Sequence, residues 1–137
     1  MMKTLETQWW LLDIPPEWET GQEEELIVIG DEDGVGEISI TTLVKEDSPI
    51  DDAELLEFAA ETAQLAGKGT AVECGDFQGH YYSFKDDTEA VREWYLALEG
   101  YLLLVTYCCD LDNAGMDDGA VDDILSTLMI RPTDQST

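Results

Sequence analysis

The sequence predicts an α+β domain in which an antiparallel sheet of about six to seven strands is flanked by two helices. Three observations carry this expectation. Short stretches rich in Val, Ile, Leu and aromatic residues recur between Gly, Pro and Asp turn signals, which is the punctuation of strands. Leu55 to Ala66 instead repeats its apolar residues at helical spacing. Val121 to Leu128 does the same near the C-terminus. The order is therefore three strands, a helix, four strands and a helix, in one domain over residues 1–137 with 132–137 read as a disordered tail.

Trp9 to Asp13 is the first strand, closed by Ile14-Pro15-Pro16 because neither proline can donate to a ladder. Leu26 to Ile29 is a short buried strand that ends in the turn signal Gly30-Asp31-Glu32-Asp33-Gly34. Glu37 to Leu43 alternates, with Ile38 and Ile40 on one face and Glu37, Ser39 and Thr41 on the other, so the two strands should pair as a hairpin. In Ser48-Pro49-Ile50-Asp51, Ser48 can cap a helix, Pro49 suits the first turn and Asp51 can complete a capping box. Leu55, Leu56, Ala59, Ala60, Ala63 and Ala66 then share a face, with Glu54, Glu57, Glu61 and Gln64 opposite, and Gly67 ends the helix. The alanines let this helix lie close against a sheet.

Four strands follow, Thr70 to Phe77, His80 to Phe84, Ala90 to Leu98 and Tyr101 to Cys108, separated by Gly79, Asp86-Asp87 and Glu99-Gly100. Turns this short require antiparallel pairing. Tyr101 to Tyr107 has no polar face, so it belongs at the centre of the sheet, covered on both sides. After the acidic loop Asp110 to Gly119, the closing helix buries Val121, Ile124, Leu125 and Leu128. Asp117, Asp118, Asp122 and Asp123 sit near its N-terminus, where the dipole favours negative charge, and Pro132 stops it.

Composition restricts the partners more than the activity. There are 32 Asp and Glu against six Lys and Arg, a net charge of −26. A folded chain of this mass exposes roughly 7,000 Å², so even spreading puts net charges ~16 Å apart, about two Debye lengths at physiological salt. The fold tolerates that density, whereas nucleic acid and anionic membrane are repelled. Four Trp, five Tyr and three Phe within 44% hydrophobic residues supply a core and argue against disorder. Met1 to Trp10 reads neither as a signal peptide nor as a membrane span. Cys74, Cys108 and Cys109 form an odd set without C-x-x-C spacing, which fits reduced thiols in the cytoplasm. Three physical origins of the acidity remain open: a high-salt habitat, attraction of a basic protein partner, and solubility with cation binding.

The frame Ile14-Pro15-Pro16-Glu17-Trp18, then Gly79-His80-Tyr81-Tyr82, Trp94-Tyr95 and Gly100-Tyr101-Leu102-Leu103-Leu104-Val105-Thr106-Tyr107, followed by a short C-terminal helix, resembles the Mog1/PsbP-like superfamily, its small bacterial members most. The resemblance covers nearly the whole chain in element order, on short and mostly structural motifs. It implies an antiparallel sheet flanked by helices and a role in binding rather than catalysis, since members include a Ran-binding import factor, a photosystem extrinsic subunit and chaperones for secreted toxins. The functional motifs of those members are not recognisable in this chain, and no site residue carries over.

The residues themselves offer little catalysis. His80 is the only His and has no Ser or Cys motif around it, so a nucleophilic triad lacks its parts. One His, with Cys108 and Cys109 on opposite faces of a strand, cannot supply a typical zinc site. Asp110-Leu111-Asp112-Asn113-Ala114-Gly115 begins like an EF-hand loop, but Ala114 stands at position five and Val121 at position twelve, which leaves Asp110, Asp112, Asp117 and Asp118 as weak cation candidates. With so many acids, no carboxylate pair singles itself out as a glycosidase pair. Gly30, Gly34 and Gly36 lead into a strand and not into a phosphate-binding helix.

Trp9-Trp10, Tyr81-Tyr82 and Trp94-Tyr95 each place neighbours on opposite faces of a strand. Exposed members would form an aromatic surface rimmed by acids, and Trp10, Trp18, Tyr82 and Tyr95 are the candidate partner-binding residues. The expected function is a non-enzymatic acidic protein-binding domain without a cofactor or resident metal, an adaptor or chaperone for a secreted or basic protein. The alternative is a small-ligand or cation-binding domain of a salt-adapted organism. A monomer or weak homodimer is expected, because an edge strand such as Trp9 to Asp13 invites pairing that net charge opposes.

Overall fold

The run without a polar face becomes the middle of a large sheet. The computed structural model describes residues 3–23, 26–31 and 36–130. The strands are β1 (Lys3–Glu6), β2 (Trp10–Ile14), β3 (Trp18–Glu23), β4 (Leu26–Asp31), β5 (Gly36–Val44), β6 (Thr70–Cys74), β7 (Phe77–Lys85), β8 (Glu89–Leu98), β9 (Tyr101–Asp110) and β10 (Met129–Ile130). Helices α1 (Asp52–Phe58) and α2 (Ala60–Ala66) precede β6, and α3 (Asp118–Leu125) precedes β10. One antiparallel sheet has seven strands in the order β3-β4-β5-β9-β8-β7-β6, and a second has three in the order β1-β2-β10.

Register fixes the two faces. Ile27 pairs Ile40, Ile40 pairs Val105 and Val105 pairs Trp94, so their side chains share one face together with Ile29, Ile38, Leu103, Tyr107 and Leu96. Trp10, Leu12 and Ile14 of the small sheet and Val121, Ile124 and Leu125 of α3 close over them as the main core. Each of these aliphatic side chains, fully buried, contributes about 1.5–3 kcal/mol. The opposite face holds a smaller cluster, Leu102, Tyr82, Tyr95 and Ala97, beneath Leu55 and Ala59 of the α1–α2 pair. On β4 and β5 that face stays partly open, with Val28, Ser39 and Thr41 half-buried.

The α+β class, the Leu26–Leu43 hairpin, the antiparallel β6–β9 meander and the apolar face of α3 agree with the sequence reading. Several details differ. The expected first strand shifts by one residue and joins the small sheet, where β1 and β10 flank it. The first helix is broken at Ala59 (φ −88°, ψ 1°), which turns Leu56 and Ala60 outward and brings Thr62 inside. Its cap is Asp51, reciprocated by Glu54, and not Ser48. The turn assigned to Gly79 lies at Gly75, where φ is +61°, while Gly79 sits inside β7 because a Cβ there would strike the Tyr95 carbonyl of β8. Part of the Gly30–Gly34 turn and the expected tail at 132–137 fall outside the described residues.

These glycines give a stability test. Gly79→Ala should cost about 3 kcal/mol or more, since backbone on the neighbouring strand must move. Gly21→Ala, with nothing within 4 Å of the added Cβ, should stay within about 0.5 kcal/mol. Equal urea midpoints for the two variants would show that the β7–β8 contact is wrong.

Candidate functional site

His80 becomes part of a groove because the Asp51 cap fixes Asp52 at the start of α1 while β7 turns His80 toward the helices. His80 Nε2 lies 2.6 Å from Asp52 Oδ1, at the mouth of a groove of about 690 Å³. Ile50, Leu55, Ala71, Ala97 and Leu98 make its floor, and Asp52, Glu73 and Glu99 are its acids. Among the described residues no Ser, Thr, Cys or Lys lines it. The pair therefore has the base and orienting carboxylate of a hydrolytic triad but no nucleophile between them and a substrate.

On the other face, Arg92 is drawn under α3. Its Nε donates to Tyr81 Oη at 2.8 Å and its Nη2 to Asp122 Oδ1 at 2.7 Å. Nη1 is buried and 3.3 Å from Asp118 Oδ1, an ion contact without hydrogen-bond alignment. The guanidinium carbon sits 4.7 Å from the Trp94 ring centroid and 5.2 Å from that of Tyr81, within cation–π range. Burial opposes the charge, but the bonds to Tyr81 and Asp122 outweigh it, and the Arg92 pKa is raised. Spaces of about 520 and 330 Å³ flank this residue, the smaller lined by Val72, Glu73, Cys74, Trp94, Leu125 and Ser126. Val72 and Glu73 of β6 thus border a groove on each face of the sheet.

The four aromatic candidates are not surface residues. Trp10 is 0% exposed and donates its indole N–H to Thr42 Oγ1 at 2.9 Å, while Trp18 joins the same core. Tyr82 and Tyr95 are buried under α1 and α2, stacked edge to face at 5.7 Å. Tyr95 Oη donates to Glu93 Oε1 at 2.8 Å. Trp10 and Trp18 are core because the small sheet packs against the large one, and Tyr82 and Tyr95 because the helix pair covers the opposite face. Parity along a strand shows that neighbours diverge, but not which face lacks a cover.

The acidic loop is also divided. Asp117 is buried and accepts from Tyr107 Oη at 2.7 Å, and Asp118 belongs to Arg92, whereas Asp110 and Asp112 are exposed. Among the described residues, no group of three or more His, Cys, Asp or Glu could hold a metal ion. Burial raises the Tyr107 pKa, and the Asp117 carboxylate adds to it. The Cys108 thiol is pushed up by burial and then by Glu89 and Glu93, which makes it a poor thiolate. Sequence reasoning missed Asp52, Glu73 and Arg92; the signal available was that Arg92 is a lone cation inside an apolar strand.

No family model and no curated protein matches the chain. Among solved structures it is similar to a protein of Bacteroides thetaiotaomicron VPI-5482, with TM-score 0.67 and 12% identity over 90% of this chain and 46% of that one. The chain thus spans about half the length of that protein. It is also similar to LpqN of Mycobacterium tuberculosis, a protein involved in cell envelope biogenesis, with TM-score 0.64 and 17% identity over 96% of this chain and 91% of LpqN. At such identities the likeness establishes fold alone. Among the described residues no helix is long and apolar enough to cross a membrane.

The shifted groups predict behaviour in alkali. Burial, then Asp122, lifts Cys74 from 9.0 to about 11, and burial with Glu93 lifts Tyr95 from 10.0 to about 12. The unfolded chain releases these protons first, so the stability they contribute is complete below pH 9 and lost as pH climbs toward 12. Tyr95→Phe should flatten the decline above pH 10. Chemical unfolding across this range checks it, and an unchanged slope in the variant refutes the assignment to Tyr95.

Proposed function

We propose that this chain is a non-enzymatic acidic protein-binding domain, an adaptor or chaperone for a secreted or basic protein. The observation that carries the reading is the His80 groove. It has an apolar floor, an acidic rim and no nucleophile, which suits holding a side chain or segment rather than cleaving one. The charge of −26 supports a cationic partner, because it steers opposite charge toward the rim. The resemblance to Mog1/PsbP-like proteins supports binding in the same way. Three free thiols support a reducing, cytoplasmic setting.

The test is capture from extracts of the native organism at about 0.05 M and about 0.5 M salt, followed by titration of the purified partner. Binding should weaken at least ~10-fold in high salt and a similar amount in an Asp52→Asn, Glu73→Gln, Glu99→Gln triple variant, whose changes lie on the groove rim. Unchanged affinity in the triple variant removes the groove from the reading. Turnover of a substrate that His80→Ala abolishes would instead make the protein an enzyme.

A further inference from the structure

Strand β6 is the last strand of the seven-stranded sheet, and among the described residues nothing pairs with its outer side. Alternate residues of such a strand direct N–H and C=O groups outward, ready for another strand. Natural edges are guarded by proline, bulges or charge. In Thr70-Ala71-Val72-Glu73-Cys74 the only guard is Glu73. The opposite edge, β3, carries Glu19 and Glu23 around Gly21.

What sets β6 apart is the surface on either side of it. Ala71 and Glu73 face the helix side and border the His80 groove; Val72 and Cys74 border the groove floored by Trp94 and Leu125. An added strand lies ~4.8 Å away and points successive side chains to opposite faces, so long side chains can lean back over β6 into each groove in turn. This is the geometry of strand addition, in which backbone bonds supply affinity and flanking pockets supply specificity.

We propose that an extended basic segment of a partner protein docks by adding a strand to β6, its alternate side chains reaching the His80 groove and the Trp94 groove. The proposal rests on the protein-binding reading above and names its mode. The charge of the occupant follows from the rims. Asp52, Glu73 and Glu99 border one groove against the single His80, and in the other the single Arg92 is already paired with Asp122. A second copy of this chain is disfavoured, because pairing β6 with β6 would bring −26 against −26.

The probe is a synthetic peptide of four Lys-Val repeats, with a Glu-Val version and a version of the Lys-Val peptide N-methylated at every residue. The Lys-Val peptide should bind at low salt and slow amide exchange in Thr70–Cys74. The Glu-Val and N-methylated peptides should bind at least ~10-fold more weakly, equivalent to about 1.4 kcal/mol. Glu73→Lys should weaken the Lys-Val peptide about 5-fold. Equal binding of the N-methylated peptide, or protection at another surface, overturns strand addition while leaving the protein-binding reading in place. No binding of the Lys-Val peptide overturns the proposal too, and the partner titration then judges the broader reading alone. A dimer whose β6 amides are protected without peptide overturns it in favour of a second copy.

Discussion

A strand that is apolar on both sides cannot be left uncovered on either, and β9 imposes this condition on the whole chain. Leu103, Val105, Tyr107 and Cys109 point one way, Leu102 and Leu104 the other. Neighbouring strands β5 and β8 satisfy its backbone, and covering layers must satisfy its side chains. The small sheet and α3 close most of the first face. Two short helices close only part of the second. The asymmetry has a consequence: the ends and margins of the helix layer create the groove in which Asp52 meets His80.

Few cations are available to balance the carboxylates, and the structure commits two of them differently. Lys45 meets Glu54 at 2.7 Å with both side chains about one third exposed, a pair worth no more than about 1 kcal/mol. Arg92 is far more enclosed; it hydrogen-bonds the Asp122 carboxylate and a phenol, lies 3.3 Å from Asp118 and rests against two rings. It tethers the N-terminal half of α3 to β7 and β8, where Asp118 and Asp122 would otherwise repel each other. Asp117 is held by Tyr107 instead. The acidic segment that looks like a half-formed cation loop is thus a seam joining helix to sheet.

What the sequence reveals and what it conceals follow one physical division. Apolar alternation in Glu37 to Leu43 and the unbroken run from Tyr101 to Tyr107 mark their strands because burial demands those residues. Lys3-Thr-Leu-Glu6 and Trp18-Glu-Thr-Gly-Gln-Glu23 are edge strands facing water, so β1 and β3 carry almost no apolar period. The site is harder still. Asp52 and His80 are 28 positions apart, and Arg92 and Asp122 are 30 apart. No spacing in one dimension reports that a helix start and a strand interior converge. The aromatic pairs mislead for a related reason, since Trp10 and Tyr95 owe their burial to layers contributed by distant segments.

Strong uniform charge also changes what an open sheet edge means. In a neutral protein, a strand such as β6 would be a liability toward any other edge, including its own copies. Here every copy carries the same large negative charge, and repulsion between copies opposes edge-to-edge pairing without a guard on each strand. That protection is selective by sign. It fails against a basic segment, which is attracted by the same field that keeps identical chains apart. If a basic segment docks as proposed, the weakly guarded β6 beside the acidic His80 groove and the excess of carboxylates over the surface have one explanation and not two, with charge selecting the partner and backbone pairing its place.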